Sequence, residues 1–471
     1  MQDQQEVRKR LEGGDRMIVG LTDTEQATVG LLTKTLAARR LSNETRKGHM
    51  DCKKLPKLPP TVPPYLREVR LVLGWPAKAV EALAQRVRLT GFAIPGGKLE
   101  AVGLDAILDD TEYVAQSRIA QLSALELGVA WLIAHRGGAG EPDVLITRQN
   151  ALHGTGDWNT RARRLNNFLS VSAYDTSGAP KDFNLYVPGE AVVVIDKRVE
   201  DRTPTIDGTV PVEPLVYRER DGRPFGSSRI SRPIMRLTQS AIRSMLRSEG
   251  TADFYGAPLL ALFGPDQSLF DQNPAMKLLL SSMFAVPDND EAADNARATL
   301  KQIDQGSQQP HTSQLEVWAQ LFAGEAKIPV SSLGVGSVQA NPTSADSYLA
   351  SREELISEAE DTQDGFARAH IRIQQHAWRI ATGETELPAE MRRLVPVWRD
   401  ARHTSKAQAA DWLAKTVSAL PWIAETDVAV EMLGLDDALV ERLRAERPAP
   451  TESPIDRMAR ELSRQAGGAT T

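Results

Sequence analysis

The sequence predicts an α+β fold, and three observations carry that prediction. From Leu165 to Ile195 the chain alternates in strand fashion, NNFLSVSAYD and then FNLYVPGEAVVVID, with a turn at Ser177-Gly178 between them. After residue 344, apolar or small side chains recur every three or four positions: Tyr348, Leu355, Ala359, Thr362, Phe366, Ala369, Ile373, Ala377 and Ile380. That spacing buries one face of a long helix. Beyond Pro388 the pattern is helical again, over 405–419, 427–433 and 436–444, with Gly434 punctuating the last two.

The remaining elements follow in chain order. Residues 1–16 are polar and read as an extension or leader, with no signal-peptide core and with Met17 as an alternative start. A helix is predicted over 24–41, its apolar content being Val29, Leu31, Leu32, Leu36 and Ala37. The proline-rich LPKLPPTVPP at 55–64 is an extended connector. Helical pattern resumes at Leu66, is interrupted at Gly74-Trp75-Pro76 and continues to Arg88. A short strand follows around Phe92, then a helix over 111–127. Gly128 opens the apolar strand VAWLIA, and 143–147 form another. A loop at 221–226 leads to a helix over 231–248 with Pro233 in its first turn. Short strands at 259–263 and 282–285 precede a short helix over 314–322.

That short helix runs into the least ordinary stretch of the chain. From Ile328 to Ala345, IPVSSLGVGSVQANPTSA, there is no charge and no aromatic ring, in a sequence that is 25% charged. Thr343 and Asp346 then resemble a capping box for the long helix, whose acidic first turn suits the positive end of its dipole. From Ser344 to Thr382 the helix spans about 58 Å at ~1.5 Å per residue. Gly365 lies in its middle, costs about 1 kcal/mol relative to alanine and invites a kink. A smooth uncharged loop on a rigid lever suits contact with a polyanion without retention.

Composition narrows the function classes. With 56 basic and 62 acidic residues the net charge is −6, which argues against a dedicated nucleic-acid binder though not against passing contact. A single cysteine, Cys52, excludes a disulfide framework and a cysteine-based zinc site. The longest apolar stretch, near Leu127 to Ala134, is too short to span a bilayer, so no membrane partner is expected. No phosphate-binding glycine loop, HExxH or G-x-S-x-G occurs. His370 and His376 share the long helix but project from different faces and cannot chelate one ion. Asp288, Asp290 and Asp294 lack the glycine and distal glutamate of a calcium loop. No cofactor, metal site or catalytic residue is therefore expected.

One pattern does stand out. On a helical wheel Arg229, Arg232, Arg236, Arg243 and Arg247 fall within about 60° of one another. Ile234, Leu237, Ala241, Ile242, Met245 and Leu246 occupy the other side. This guanidinium stripe either pairs with acids of a partner subunit or contacts phosphate.

Several phrases, in this order, resemble the portal proteins of long-tailed bacteriophages: GWPAKAVEALAQRVRLTGF (74–92), GRPFGSSRISRPIMRLTQSAIRSMLRSEG (222–250), IPVSSLGVGSVQANPTSADSYLASREELISEAE (328–360), WRDARHTSKAQAADWLAKTV (398–417) and the LGLDD turn (433–437). The resemblance covers roughly 24–447. NETRKGHMD departs from it, where many relatives carry a tyrosine-containing turn. It implies the portal fold: a flexible extension (1–23), an α+β wing (24–228), a first stem helix (229–250), a small mixed clip (251–310), a second stem helix (311–324), a tunnel loop (325–343), the long wing helix (344–387), a helical crown (388–447) and a flexible tail (448–471). It implies a ring of twelve at one capsid vertex, passing double-stranded DNA without sequence specificity during packaging and ejection. The implied partners are the terminase large subunit, the major capsid protein and scaffold, and a head–tail adaptor. The implied locations are the virion and, during assembly, the host cytoplasm. Within the tunnel loop, Ser331, Ser332, Gly334, Gly336, Ser337, Gln339 and Asn341 are the candidate channel residues. The alternatives are a metal-dependent DNA-processing enzyme and another structural capsid or scaffold component.

Overall fold

The computed structural model describes residues 18–55, 66, 68–255, 259–263, 283–286, 299–303, 307–335, 352–402, 406–433, 442 and 446. The chain divides into two compact units, 1–401 and 402–471.

In the first unit, helix α1 (Asp23–Met50) starts at a capping box. Thr22 Oγ1 accepts from the Glu25 amide at 3.3 Å, and Glu25 Oε2 accepts from the Thr22 amide at 2.8 Å. It continues past the predicted end at 41, because no proline or exposed glycine stop intervenes and Arg40 pairs with Glu44 one turn on. Its face of Val29, Leu32 and Leu36 covers Leu169, Val171, Phe183, Leu185, Val192 and Val194. Those six belong to an antiparallel meander in the order β4 (Gly154–Asn159), β5 (Arg164–Tyr174), β6 (Pro180–Val187), β7 (Glu190–Ile195), β8 (Arg198–Pro204). The period of two sends Ser170, Ser172, Asn184 and Tyr186 to the opposite face, where they line a cleft of about 660 Å³. The expected turn lies at 175–179, where Asp175 Oδ1 accepts from the amides of Ser177 and Ala179.

A second antiparallel sheet, β3-β2-β9, places β2 (Val129–Arg136) between β3 (Val144–Asn150) and β9 (Val212–Val216). The central strand is buried on both faces, which is why VAWLIA is continuously apolar and not alternating. Ala130, Leu132 and Ala134 join the main core, while Trp131 and Ile133 join a second one with Phe168 and Phe225. The main core is completed by α2 (Trp75–Ala84), α4 (Tyr113–Leu127) and the long helix α7 (Glu353–Thr382). A short helix α3 (Leu104–Asp110) precedes α4. The expected interruption falls at 69–74, and Trp75-Pro76 open α2, since proline fits the first turn; the helix ends at Ala84 rather than Arg88.

Helix α5 (Arg232–Tyr255) packs antiparallel to α6 (Gln309–Ala326), as the pairs Ser231–Glu325, Ser244–Gln314 and Ser248–Gln308 require. The second helix is longer than the 314–322 expected, because Pro310 sits in its first turn and Lys327, at φ 53°, ends it. Between them lies a sheet ordered β11-β10-β12, with β10 (Leu259–Phe263) parallel to β11 (Met283–Val286) and antiparallel to β12 (Thr299–Ile303). The third strand, TLKQI, was not expected.

Residues beyond Pro388 are not all helical. Strand β13 (Val395–Trp398) pairs antiparallel with β1 (Leu89–Ala93), and Pro396 within it concealed the strand pattern. The first unit thus keeps the chain to Ala401; the second unit begins at Arg402, and its first described helix at Lys406. The second unit contains α8 (Lys406–Ala419), a turn at Pro421–Glu425 and α9 (Asp427–Met432). The helix expected over 436–444 and the cap at Thr343 lie outside the described residues. Among the described residues, no helix is long and apolar enough to cross a membrane.

Candidate functional site

The uncharged stretch begins as a folded turn. Ile328 N–H donates to Ala323 O at 3.0 Å, so the chain folds back against the end of α6. Residues Val330–Leu333 make one tight turn, closed by Gly334 at φ 70°. Ile328 and Leu333 are each 5% exposed and join the main core, and Lys78 Nζ donates to Ser332 O at 3.0 Å. Ser331 and Gly334 face solvent and Ser332 is half-buried. The first part of the expected loop is thus a rim fixed to the main core and to α2. Gly336, Ser337, Gln339 and Asn341 lie outside the described residues.

The rim is held in place by a buried charge knot. Arg229 is 3% exposed and lies before α5 begins, so the helical-wheel placement that put it in the basic stripe is corrected. Its Nε donates to Ala79 O at 2.7 Å and Nη2 to Ala326 O at 2.7 Å, while Nη1 lies 2.6 Å from Glu358 Oε1 and donates to Tyr217 Oη at 3.1 Å. Glu358 also binds Arg218 at 2.6 Å and accepts from Tyr217 Oη. Burial alone would raise the Glu358 carboxyl, but the Arg229 charge, the bonds from Tyr217 and Arg229, and Arg218 outweigh it and hold it below the usual range. Burial pushes the Tyr217 phenol up to about 12. One guanidinium therefore joins α2, the end of α6, β9's flank and α7, and fixes the start of α5 and the end of α6 against the main core. The sequence did hold a signal: Glu358 stands beside Leu355, Ala359 and Thr362 on the buried face of α7, where an acid needs a partner.

The stripe proper is Arg232, Arg236, Arg243 and Arg247. All but the half-buried Arg243 are exposed, and none forms an ion pair among the described residues. Arg243 donates to Ser240 Oγ at 2.9 Å, on its own helix. Opposite them Ile234, Thr238, Ala241, Ile242 and Leu246 are buried, and polar bonds such as Trp318 Nε1 to Ser244 Oγ at 3.1 Å tie the helix to α6.

Helix α7 runs without interruption through Gly365, where an added Cβ would meet only Val216 O, at 3.9 Å. His370 is fully buried, with Tyr113 Oη 2.7 Å from Nδ1 and Gln121 Nε2 3.1 Å from Nε2, and burial pushes it down to about 3. His376 lies 3.5 Å from Glu213 Oε1, beside Arg379, which binds Asp207 at 3.0 Å. The two histidines serve separate networks, and among the described residues no cluster could hold a metal ion.

The chain matches the family described as "Phage portal protein, SPP1 Gp6-like" over residues 39–448. It belongs to that phage portal family. The portal protein of Mycobacterium phage L5 is 25% identical over 402 residues, covering 80% of this chain and 79% of that one. The portal protein of Mycobacterium phage D29 is 27% identical over 210 residues, 44% of this chain and 42% of its own length. Two solved structures are similar at lower levels. A chain in the virion of a native gene transfer agent particle has TM-score 0.41 at 10% identity, covering 77% of this chain and 90% of that one. A chain in the neck of the native particle, computed with C12 symmetry, has TM-score 0.38 at 11% identity, covering 83% and 98%. The portal-family assignment rests on the sequence matches.

Proposed function

We propose that this portal-family chain assembles as a ring of twelve at one capsid vertex and forms the channel through which double-stranded DNA is packaged and ejected, without chemistry of its own. Membership of the portal family over nearly the whole chain is the observation that carries this reading. In this arrangement 24–228 and the long helix form the wing, α5 and α6 the stem, the three-stranded sheet the clip, and the helices from Arg402 the crown. The terminase large subunit and the head–tail adaptor would dock on the ring, and the capsid protein and scaffold would surround it in the virion.

The physical chemistry supports a passage rather than a clamp. Each copy carries −6, so DNA inside a ring gains little from counterion release and is not retained. The stretch from Ile328 to Ala345 offers no Lys or Arg to hold a phosphate. Its rim, fixed by Leu333 and the Arg229 knot, would carry Ser331, Ser332 and Gly334 at the constriction, with Gly336, Ser337, Gln339 and Asn341 following. A lysine at Gly336 or Ser337 is expected to leave assembly intact and slow DNA passage, read as reduced genome content in packaged particles. Normal content would exclude this stretch from the constriction. Electron microscopy of the purified protein tests the wider reading: rings with a central hole are expected, and subunits that never close into rings under assembly conditions would refute it.

A further inference from the structure

Two long helices of this chain expose faces of opposite charge. On α5, Arg232, Arg236, Arg243 and Arg247 form the stripe described above, about 22 Å long at ~1.5 Å per residue. On α7, the first half exposes Glu353, Glu354, Asp361 and Asp364, while Leu355, Ile356, Ala359 and Phe366 face the core. These four acids form no ion pair among the described residues either. The separation of Glu353 from Asp364 equals those of Arg232 from Arg243 and of Arg236 from Arg247. Each is about three turns or ~16 Å, which returns a side chain to the same line on a helix.

The positive field does not stop at the stripe. Burial and the charges of Arg39, Arg223 and Arg232 push the Arg46 guanidinium down, and its Nε is buried without a hydrogen-bond partner. Arg39 stacks over Phe225, 5.8 Å from the ring centre, and occupies the same face of α1 as Arg46. Guanidinium groups thus accumulate where α1, the 220–226 turn and the start of α5 meet, and among the described residues Arg39, Arg46, Arg223 and Arg232 form no ion pair. Such an accumulation is stabilised by an anion from outside the subunit.

We propose that the arginine stripe of α5 docks on the acidic face of the first half of α7 in a second copy of this chain. The inference rests on the ring reading above and names the contact that closes it. Two different patches of one chain make a head-to-tail contact, and such a contact closes into a ring when the rotation between copies divides a full turn. The acids around α3, Asp105, Asp109 and Asp110, are exposed or half-buried too, but that helix spans only 104–110 and is too short to match the stripe. Duplex DNA is the competing occupant. Arginines aligned along a channel would hold phosphates, whereas the stripe's spacing is matched by a helix that every neighbour supplies.

Charge reversal with rescue tests it. The full chain is prepared unmutated, as Arg236→Glu/Arg243→Glu, as Glu354→Arg/Asp361→Arg, and with all four changes. Ring fraction is read by native mass spectrometry, and monomer folding by thermal melting. Each reversed pair alone should lower the ring fraction at least about tenfold, and the four together should restore it, because facing like charges repel and the combined swap re-pairs them. Arg236→Gln/Arg243→Gln, which removes charge without adding repulsion, should give a smaller loss at an unchanged melting temperature. Rings undiminished by the reversed pairs would overturn the inference and leave the ring reading intact. Loss by both pairs without rescue would overturn α7 as the partner. A stripe that binds a short DNA duplex in an Arg236- and Arg243-dependent way, with rings unaffected, would assign it to DNA. Absence of rings from the unmutated chain would remove the ring reading, and this contact with it.

Discussion

Arginine does two different jobs around α7 and on α5. Near α7 and the five-stranded sheet, buried or half-buried guanidinium groups are matched inside the subunit: Arg229 and Arg218 with Glu358, Arg202 with Glu25 and Glu190, Arg379 with Asp207. On helix α5, Arg232, Arg236 and Arg247 point outward and meet no carboxylate among the described residues, and half-buried Arg46 beside the start of α5 shares that lack. The first set fixes the shape of one subunit. The second is free to act between subunits. An ion taken out of water needs a partner, inside the fold or outside it, and one left in water does not.

The largest consequence concerns Glu358. Its replacement by alanine leaves two arginines and a tyrosine around an unpaired site, and the loss expected is about 3–5 kcal/mol of subunit stability. Urea unfolding of the dispersed subunit measures it. A change within about 0.5 kcal/mol, ordinary for exposed sites, would erase the contrast between the paired arginines and those of α5.

A pH effect comes next, again from the main core around α7. Burial holds His370 neutral down to about 3, whereas the unfolded chain protonates it near its ordinary 6.5. The folded state binds fewer protons in that interval, so stability is complete above the unfolded value and falls as pH drops from about 6.5 towards 3, at ~1.4 kcal/mol per unit per group. His370→Gln should flatten this slope in urea midpoints taken across that range; a slope left intact would place its source elsewhere. Glu25, whose carboxyl the hydrogen bond from Arg202 holds at about 2 despite partial burial, adds a separate loss as pH falls from 4.5 towards 2.

Helix α5 should respond in the opposite manner. Arg236→Ala/Arg243→Ala is expected to move subunit stability by no more than about 0.5 kcal/mol while lowering ring yield. The smallest effect is that of Gly365→Ala. Its Cβ would sit at ordinary contact distance from Val216 O, so replacement should stabilise α7 by up to about 1 kcal/mol through helix propensity alone. Destabilisation would show that the glycine serves a bend in the helix.

Much of this fold was legible in the residues. Three-and-four spacing identified the buried face of α7, alternation identified β5 to β7, and the order of family-like phrases identified the portal family. Boundaries failed where one local signal has two meanings. Pro76 and Pro310 start helices rather than stop them, and Pro396 sits inside a strand. The candidate site was legible in composition but not in geometry. An uncharged stretch can be seen in a sequence, whereas the burial of Leu333 and the grip of Lys78 on Ser332 depend on contacts far along the chain. Arg229 was misplaced because wheel projection assumes a helix, and the helix begins only at Arg232. Glu358 could have corrected this, since a lone acid within an apolar stripe calls for a buried cation.

The division between the paired arginines and those of α5 is tested most directly by single-particle electron microscopy of the unmutated chain beside Arg236→Ala/Arg243→Ala, at matched concentration and ionic strength. The account predicts rings with a central hole from the unmutated chain and a clearly lower fraction of rings, with fully folded subunits, from the variant. Rings of equal abundance in both samples would contradict it.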